Sequence, residues 1–503
     1  MDKIYGITDT KALYLAFFYA FLASIELGWN LGAVNNPQPF IKCWINQVQI
    51  GDLNKKDCEN STISEDEIGS IHENLKDVTI FWSLFTAIYA IGAAIGSIIG
   101  GPISDKFGRK KAIFFSAILA VTASLILGFI RKIDNYIIFV LARTLIGVNT
   151  GLNSTIAPVY LYEIAPKKKR GFFGASFQIG LVSGILLSQV AGLEWLLGTN
   201  EHWPKIFLLG AFPAGFQILI FFFVEESPTW LIDRAAVVTS LSLPTRSNAS
   251  NQNNDDEESL LQNIIQLYKD PPVRSAMWTC VIYIIIKQIS GITAINFYSG
   301  SIFNSAGIPN EFAGVATVGL GLLNVIASIV FSFIVDKVGR MLLFFWSLIL
   351  MAVSTIIATI LISFSHTSNV LAYLSIIPFL IYIIAFNLGT GPIPWMIASE
   401  TIPPKYKSGV AAVGAFTNWT VAFLVGLLFP ILNELMDQYV FIIFSVSCLL
   451  GAGYVRFFGV ESKRLTVVEV QDIYRARLRA RRGGLAVARL GSLAYIQKES
   501  VRK

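Results

Sequence analysis

Twelve apolar blocks follow one another along the chain, near residues 12–34, 79–101, 112–131, 136–160, 171–193, 203–224, 275–298, 312–335, 341–364, 370–398, 408–432 and 438–460. Each is long enough to cross a bilayer core as a helix, which takes roughly 20 residues. The pattern predicts an all-α membrane protein with 12 transmembrane helices. The first block is too long for the apolar core of a signal peptide, and no small-residue cleavage site follows it, so it is expected to stay as a span.

Composition agrees with that pattern. Charged residues are 14% of the 503 positions and apolar residues 54%, a balance that a soluble domain does not show. Charge also orients the chain, because basic residues collect in cytoplasmic loops. Segment 105–111 carries Lys106, Arg109, Lys110 and Lys111, and 167–170 is wholly basic. An even number of spans then puts both termini in the cytoplasm, with Arg131 and Lys132 as a minor exception in an external loop. That orientation places Cys43, Cys58 and Asn60 in the first external loop, 35–78. The two cysteines are candidates for a disulfide, and Asn60-Ser61-Thr62 is a glycosylation acceptor that only a lumenal loop can present. Cys280 and Cys448 lie within spans and read as packing residues.

The chain repeats itself. Asp105-Lys106-Phe107-Gly108-Arg109 recurs as Asp336-Lys337-Val338-Gly339-Arg340, an offset of 231, and Glu163 with Arg170 recurs as Glu400 with Lys407, an offset of 237. Two six-helix halves are predicted, 1–232 and 275–460, and parallel repeats of this kind place a substrate site between them near the midplane. Between the halves, 233–274 turns rich in Ser, Asn, Asp and Glu, which reads as a cytoplasmic linker. The tail, 461–503, begins as a polar helix and becomes arginine-rich, reading as a solvated basic segment with some attraction to anionic lipid headgroups.

Gly101-Pro102-Ile103-Ser104-Asp105-Lys106-Phe107-Gly108-Arg109-Lys110 resembles the loop signature of the major facilitator superfamily, and its repetition in the second half strengthens the match. The narrower resemblance rests on Pro158-Val159-Tyr160-Leu161-Tyr162-Glu163-Ile164-Ala165-Pro166, Glu226-Ser227-Pro228, Gln288-Ile289-Ser290-Gly291-Ile292, Gly391-Pro392-Ile393-Pro394-Trp395 and Asn418-Trp419-Thr420. In this order and spacing the chain is similar to the facilitative glucose and fructose transporters, from the first span to the end of the twelfth. The resemblance implies cytoplasmic ion pairs that hold the halves closed. One set links Asp105 and Arg109 with Arg143, Glu163 and Arg170, the other Asp336 and Arg340 with Glu400 and Lys407. Glu26, Tyr298 and Trp419 are assigned to the gates as well.

A neutral hexose needs amide and hydroxyl partners together with an aromatic face. Gln178 and Gln189 lie eleven residues apart on one face of the fifth span, and Gln288, Asn324, Asn387, Trp395 and Asn418 add amides and an indole from the second half. By resemblance Gln178, Gln288, Asn324 and Trp395 contact sugar, while Leu181, Val182 and Ile185 line the apolar side. The chain departs from the family where Lys287 replaces a glutamine, Thr293 an asparagine, Asn387 a glutamate and Ala422 an asparagine; Ile284-Ile285-Ile286 stands where glucose carriers have Gln-Leu-Ser. The prolines of 391–394 are expected to bend the tenth span beside the cavity. Glu26 also replaces a glutamine, and an acid and a base on symmetry-related first helices are expected to form an intramembrane Glu26–Lys287 ion pair.

These features imply passive hexose transport by alternating access, glucose before fructose. A proton-coupled sugar symporter and a non-transporting sugar sensor remain as alternatives. The first is weakened by Asn30, an amide where related symporters carry an aspartate, and kept open by Glu26. No constellation of an enzyme, a metal site or a cofactor site is visible, and nothing points to nucleic acid.

Overall fold

The computed structural model describes residues 10–49, 72–166, 170–232, 234–235, 267–334, 337–403, 406–463 and 465–482. Cys58, Asn60 and Asp336, most of the expected linker, and the tail beyond 482 lie outside these. Among the described residues all regular structure is helical. Eleven apolar helical stretches are long enough to cross a membrane, and the last, 409–458, runs through two helices, so the spans number twelve. Spans 1 to 6 are Thr10–Gly32, His72–Phe107, Arg109–Gly128, Tyr136–Ile164, Arg170–Ala191, and Trp203–Leu209 continued by Ala211–Ile220. Span 7 comprises Pro271–Lys287, Gln288–Ile292 and Thr293–Ser305; span 8 is Asn310–Ile334 and span 9 Arg340–Ser363. Span 10 runs through Asn369–Leu374, Ile376–Ala385, Phe386–Thr390 and Ile393–Thr401, followed by span 11, Lys407–Met436, and span 12, Val440–Phe458.

In lipid the hydrophobic effect does little to hold helices together, so close packing must. Spans 2 and 4 touch backbone to backbone: a Cβ on Gly96 would lie 2.1 Å from the Val148 carbonyl oxygen, and one on Gly151 2.1 Å from that of Ala93. Within the first half span 1 also packs on span 5, and within the second span 9 packs on span 12; the halves meet where span 2 lies on span 11 and span 5 on span 8. Large apolar side chains point outward, among them Phe222 at 80% exposure and Leu450 at 71%, as a lipid-facing surface requires.

Two of the helices outside the spans are longer than ten residues among the described residues. The helix Gln38–Gln49 falls in the expected external loop and anchors by Trp44, which packs edge-on against Phe139 and donates its Nε1–H to Asp134 Oδ1 at 2.9 Å. Cys43 on this helix is disulfide-bonded. Burial pulls the Lys42 ammonium below its ordinary pKa, with the Glu434 charge partly offsetting that. The tail helix Val467–Arg482 corrects the picture of a solvated segment. Val470, Gln471 and Tyr474 are buried against span 7 and Thr401, while Arg477 donates to the Phe458 and Gly459 carbonyls at 2.7 and 2.9 Å, closing the end of span 12. Thr466 and Glu469 form a reciprocal cap at its start, and those bonds hold the Glu469 carboxyl below its ordinary pKa.

Candidate functional site

Both broken helices of the second half face the interior. In span 7 the break is at Gln288–Ile292, where Gly291 takes φ 100° and a Cβ would lie 2.5 Å from the Phe444 ring, so only glycine fits. In span 10 it is at Phe386–Thr390, just before the expected bend at Pro392 and Pro394. A break exposes backbone groups that lipid cannot satisfy. Here hydroxyls and an amide satisfy them: Ser447 Oγ donates to the Ile289 carbonyl at 2.8 Å, Tyr382 OH to that of Ser290 at 3.0 Å, and Asn387 Nδ2 to that of Ile383 at 2.9 Å.

The expected sugar-binding amides gather around these breaks, and most are already bonded to protein. Gln288 Nε2 donates to the Asn418 carbonyl at 3.0 Å and its Oε1 accepts from Thr293 Oγ1 at 3.2 Å. Asn387 donates to Asn324 Oδ1 and accepts from Ser328 Oγ, both at 2.7 Å. Asn324, Gln189 and Ile185 border a cavity of about 10 Å³, the room of one water. Val182 and Ile185 are buried where span 5 meets span 1; a Cβ on Gly28 would lie 1.8 Å from the Leu181 carbonyl oxygen. The buried Gln189 Oε1 has no partner, and three further groups keep some exposure. The Gln178 amide is half-buried and makes no hydrogen bond among the described residues. Lys287 Nζ donates to Asn418 Oδ1 at 3.3 Å and sits 5.3 Å above the Trp395 ring, and Trp395 itself is 37% exposed.

The expected Glu26–Lys287 ion pair does not form. Lys287 is held by an amide and an indole, whereas Glu26 is fully buried in the first half with its Oε2 accepting a long 3.5 Å contact from Asn153 Nδ2. Arg143 does not join the charge network either. It is fully buried, its guanidinium lies 4.4 Å from the Tyr89 ring centroid, and Nη2 donates to the Asn30 carbonyl at 3.0 Å. The resemblance carried it to the loop by charge alone, but its place in mid-span 4 commits it to the helix 1 interface.

One end of the interior is sealed by side chains. Asn35 crosses from the end of span 1 to span 7, donating to Ser299 Oγ at 2.7 Å and the Asn296 carbonyl at 2.9 Å and accepting from the Gly300 N–H at 3.0 Å. Tyr298 OH donates to the Gly426 carbonyl at 2.8 Å, and Trp419 Nε1 reaches Ser154 Oγ across the halves at 3.4 Å. Beside this seal lies a cavity of about 210 Å³ bordered by Asn35, Lys42, Asn304 and Gly314, while Gln178, Lys287 and Trp395 keep partial exposure of their own. Sequence reasoning missed Asn35, for which the Asn35-Asn36-Pro37 stop after span 1 was the available signal.

At the basic end the charges form two matching networks, each inside one half. Arg109 grips Glu163 through Nε and Nη2 at 3.0 and 3.1 Å and Asp105 through Nη1 at 2.9 Å, and Ser227 Oγ donates to Glu163 at 2.5 Å. Glu226 Oε1 accepts the Lys110 N–H at 2.9 Å. In the second half Arg340 donates to Glu400 at 3.1 Å, Ser462 Oγ bonds Glu400, and Glu461 accepts the Arg340 and Met341 N–H groups at 2.9 and 3.1 Å. Among the described residues these bonds join span ends within one half, where the expectation had such pairs hold the two halves closed. Lys407 has no acidic partner among the described residues, contrary to the expected pair with Glu400, which is held by Arg340. Nothing is described of the Arg170 side chain. The Glu-Ser pairs at 226–227 and 461–462 carry a repeat at offset 235 that the sequence displays and that was not drawn on.

Residues 16–474 match the family model described as sugar (and other) transporter. The chain belongs to that family. Among members, human "Solute carrier family 2, facilitated glucose transporter member 5" is 30% identical over 90% of each chain, and mouse member 4 is 32% identical over 90% of this chain and 89% of its own. Among solved structures, the E. coli xylose transporter XylE in an inward-open conformation aligns with a TM-score of 0.69 at 20% identity, covering 92% of this chain and 99% of that one. The resemblance to a sugar carrier is thus borne out, and the twelve-helix fold with it.

Proposed function

We propose that this sugar transporter family member carries hexoses passively across the membrane, glucose in preference to fructose, by alternating exposure of one central site. The observation that supports this best is a half-buried, unbonded Gln178 amide on span 5 together with Lys287 set over the partly exposed Trp395 ring in the second half, in halves joined at one end by Asn35. A donor-acceptor amide suits a hydroxyl, an indole face suits a sugar ring, and halves that rock about the site expose it to each side in turn. On this reading the basic end and both termini are cytoplasmic, and the helix Gln38–Gln49 faces outside with Asn60 available for glycosylation. The membrane is the plasma membrane, and the exposed Arg475 and Arg479 meet anionic headgroups. Uptake of labelled glucose, fructose and galactose in a cell lacking hexose transport, each competed by the others, tests it: saturable uptake with glucose as the strongest competitor is expected.

A second reading, proton coupling, is favoured by Glu26, a buried carboxyl with its Oε1 unpartnered. Sugar-driven proton influx that disappears in Glu26→Gln would support it; sugar uptake without proton movement supports the uniporter.

A further inference from the structure

We propose that the central site prefers a monosaccharide bearing a carboxylate, a hexuronate such as glucuronate, over the neutral hexose of the same configuration. This rests on the reading of the site as sugar-binding. Lys287 is a lysine set among neutral amides: the groups on its ammonium are Asn418 Oδ1 and the Trp395 ring, and no acid contacts it among the described residues. Asn418 Oδ1 occupies one of its three hydrogens, which leaves two directed at whatever enters. The amides that would serve a neutral sugar are not free, because Gln288, Asn324 and Asn387 are bonded to Asn418, to each other and to Ser328. The interior acid, Glu26, lies in the other half with Asn153 and makes no contact with Lys287 among the described residues. The groups left to a ligand are therefore one cation with no acid in contact, one aromatic ring beside it, and the unbonded amides of Gln178 and Gln189 on span 5.

A cation inside a membrane span without a counter-charge is costly and commonly marks the path of a substrate that supplies the opposite charge. A carboxylate at C6 would meet the ammonium in a charge-assisted hydrogen bond, stronger than any a hydroxyl offers, while the ring lies on Trp395 and the remaining hydroxyls reach Gln178. The cation-π contact with Trp395 orients the ammonium without neutralising it. Lysine, unlike arginine, acts as a compact point charge, so it binds the carboxylate without requiring a planar fork.

The test uses purified full-length protein in proteoliposomes, with labelled glucose uptake competed by glucuronate and by its neutral isostere glucuronamide. Glucuronate should inhibit at a concentration at least tenfold lower than glucuronamide, and labelled glucuronate should enter faster under an inside-positive potassium diffusion potential, since net anion movement carries charge. Lys287→Gln should bring the two inhibitors to within about twofold of each other. Equal inhibition by the two in the wild-type protein overturns the proposal and leaves hexose transport intact, and it decides the matter even where the variant does not fold. Glucose uptake that glucuronate does not inhibit overturns it in the same way. No uptake of either sugar by protein that remains monodisperse overturns this inference and the transport reading together.

Discussion

Gln178 shows how a single side chain can be assigned by what it lacks. It sits on span 5 beside the buried patch of Val182 and Ile185, half-buried, with an amide that no protein group takes up. Its fellow Gln189, three turns along on the same face, is buried instead, walled in by span 8, where a Cβ on Gly321 would lie 2.2 Å from Gln189 Oε1. Gln178→Leu should therefore lower hexose uptake at least tenfold with surface expression unchanged, because a site built to bond hydroxyls loses most when a partner is removed. Unaltered uptake kinetics would remove Gln178 from the site. The type of each residue at this site was legible in the sequence. Which amides are free and which are spent on one another was not, since that depends on rotamers set across two helix breaks. Lys287 is the instructive case: its charge was plain, and pairing with Glu26 followed from charge alone, but the structure sets it over an indole and against an amide.

The helices were legible from runs of apolar residues and the bend of span 10 from its prolines, whereas the break in span 7 was not foreseen. Span 10 breaks just ahead of its prolines, at Phe386–Thr390, and span 7 breaks at Gly291 with no proline at all, so the bend itself is fixed by packing against Phe444 and by hydroxyls that take up the freed carbonyls. At the basic ends of spans 3 and 9 a carboxylate distant in sequence acts as the helix cap, Glu226 for Lys110 and Glu461 for Arg340 and Met341. An anion at a helix N-terminus satisfies otherwise orphaned N–H groups and is favoured by the helix dipole. Glu461→Ala and Glu226→Ala should each destabilise the protein by about 0.5–2 kcal/mol, the usual worth of such a cap. Thermal unfolding in detergent checks this, and a glutamine at either position should recover part of the loss; an unchanged melting temperature would show that the caps contribute nothing.

Across the whole molecule, the repeat predicted two matching halves, and the arginine, glutamate and serine networks match between them in chemistry as well as order. What the repeat could not reveal is how the halves meet, because the contacts between them are not symmetric. Asn35 bonds span 7 three times at one end, while the ion pairs at the other end stay inside their own halves. The seal at the Asn35 end is then a few neutral hydrogen bonds, which a rocking motion can break at modest cost. Asn35→Ala should shift the carrier toward opening at that end by about 1–3 kcal/mol, the common range for conformational coupling. A cysteine placed in the vestibule at Gly314 should react faster with a membrane-impermeant thiol reagent in that variant; equal rates would show that the lock lies elsewhere. The central claim is that one site between the halves carries a sugar across the membrane without an energy source. Purified protein in sealed vesicles should take up labelled D-glucose saturably, equilibrate it to the same concentration on both sides and ignore the L-enantiomer, whereas uptake equal for both enantiomers, or none above protein-free vesicles, would contradict it.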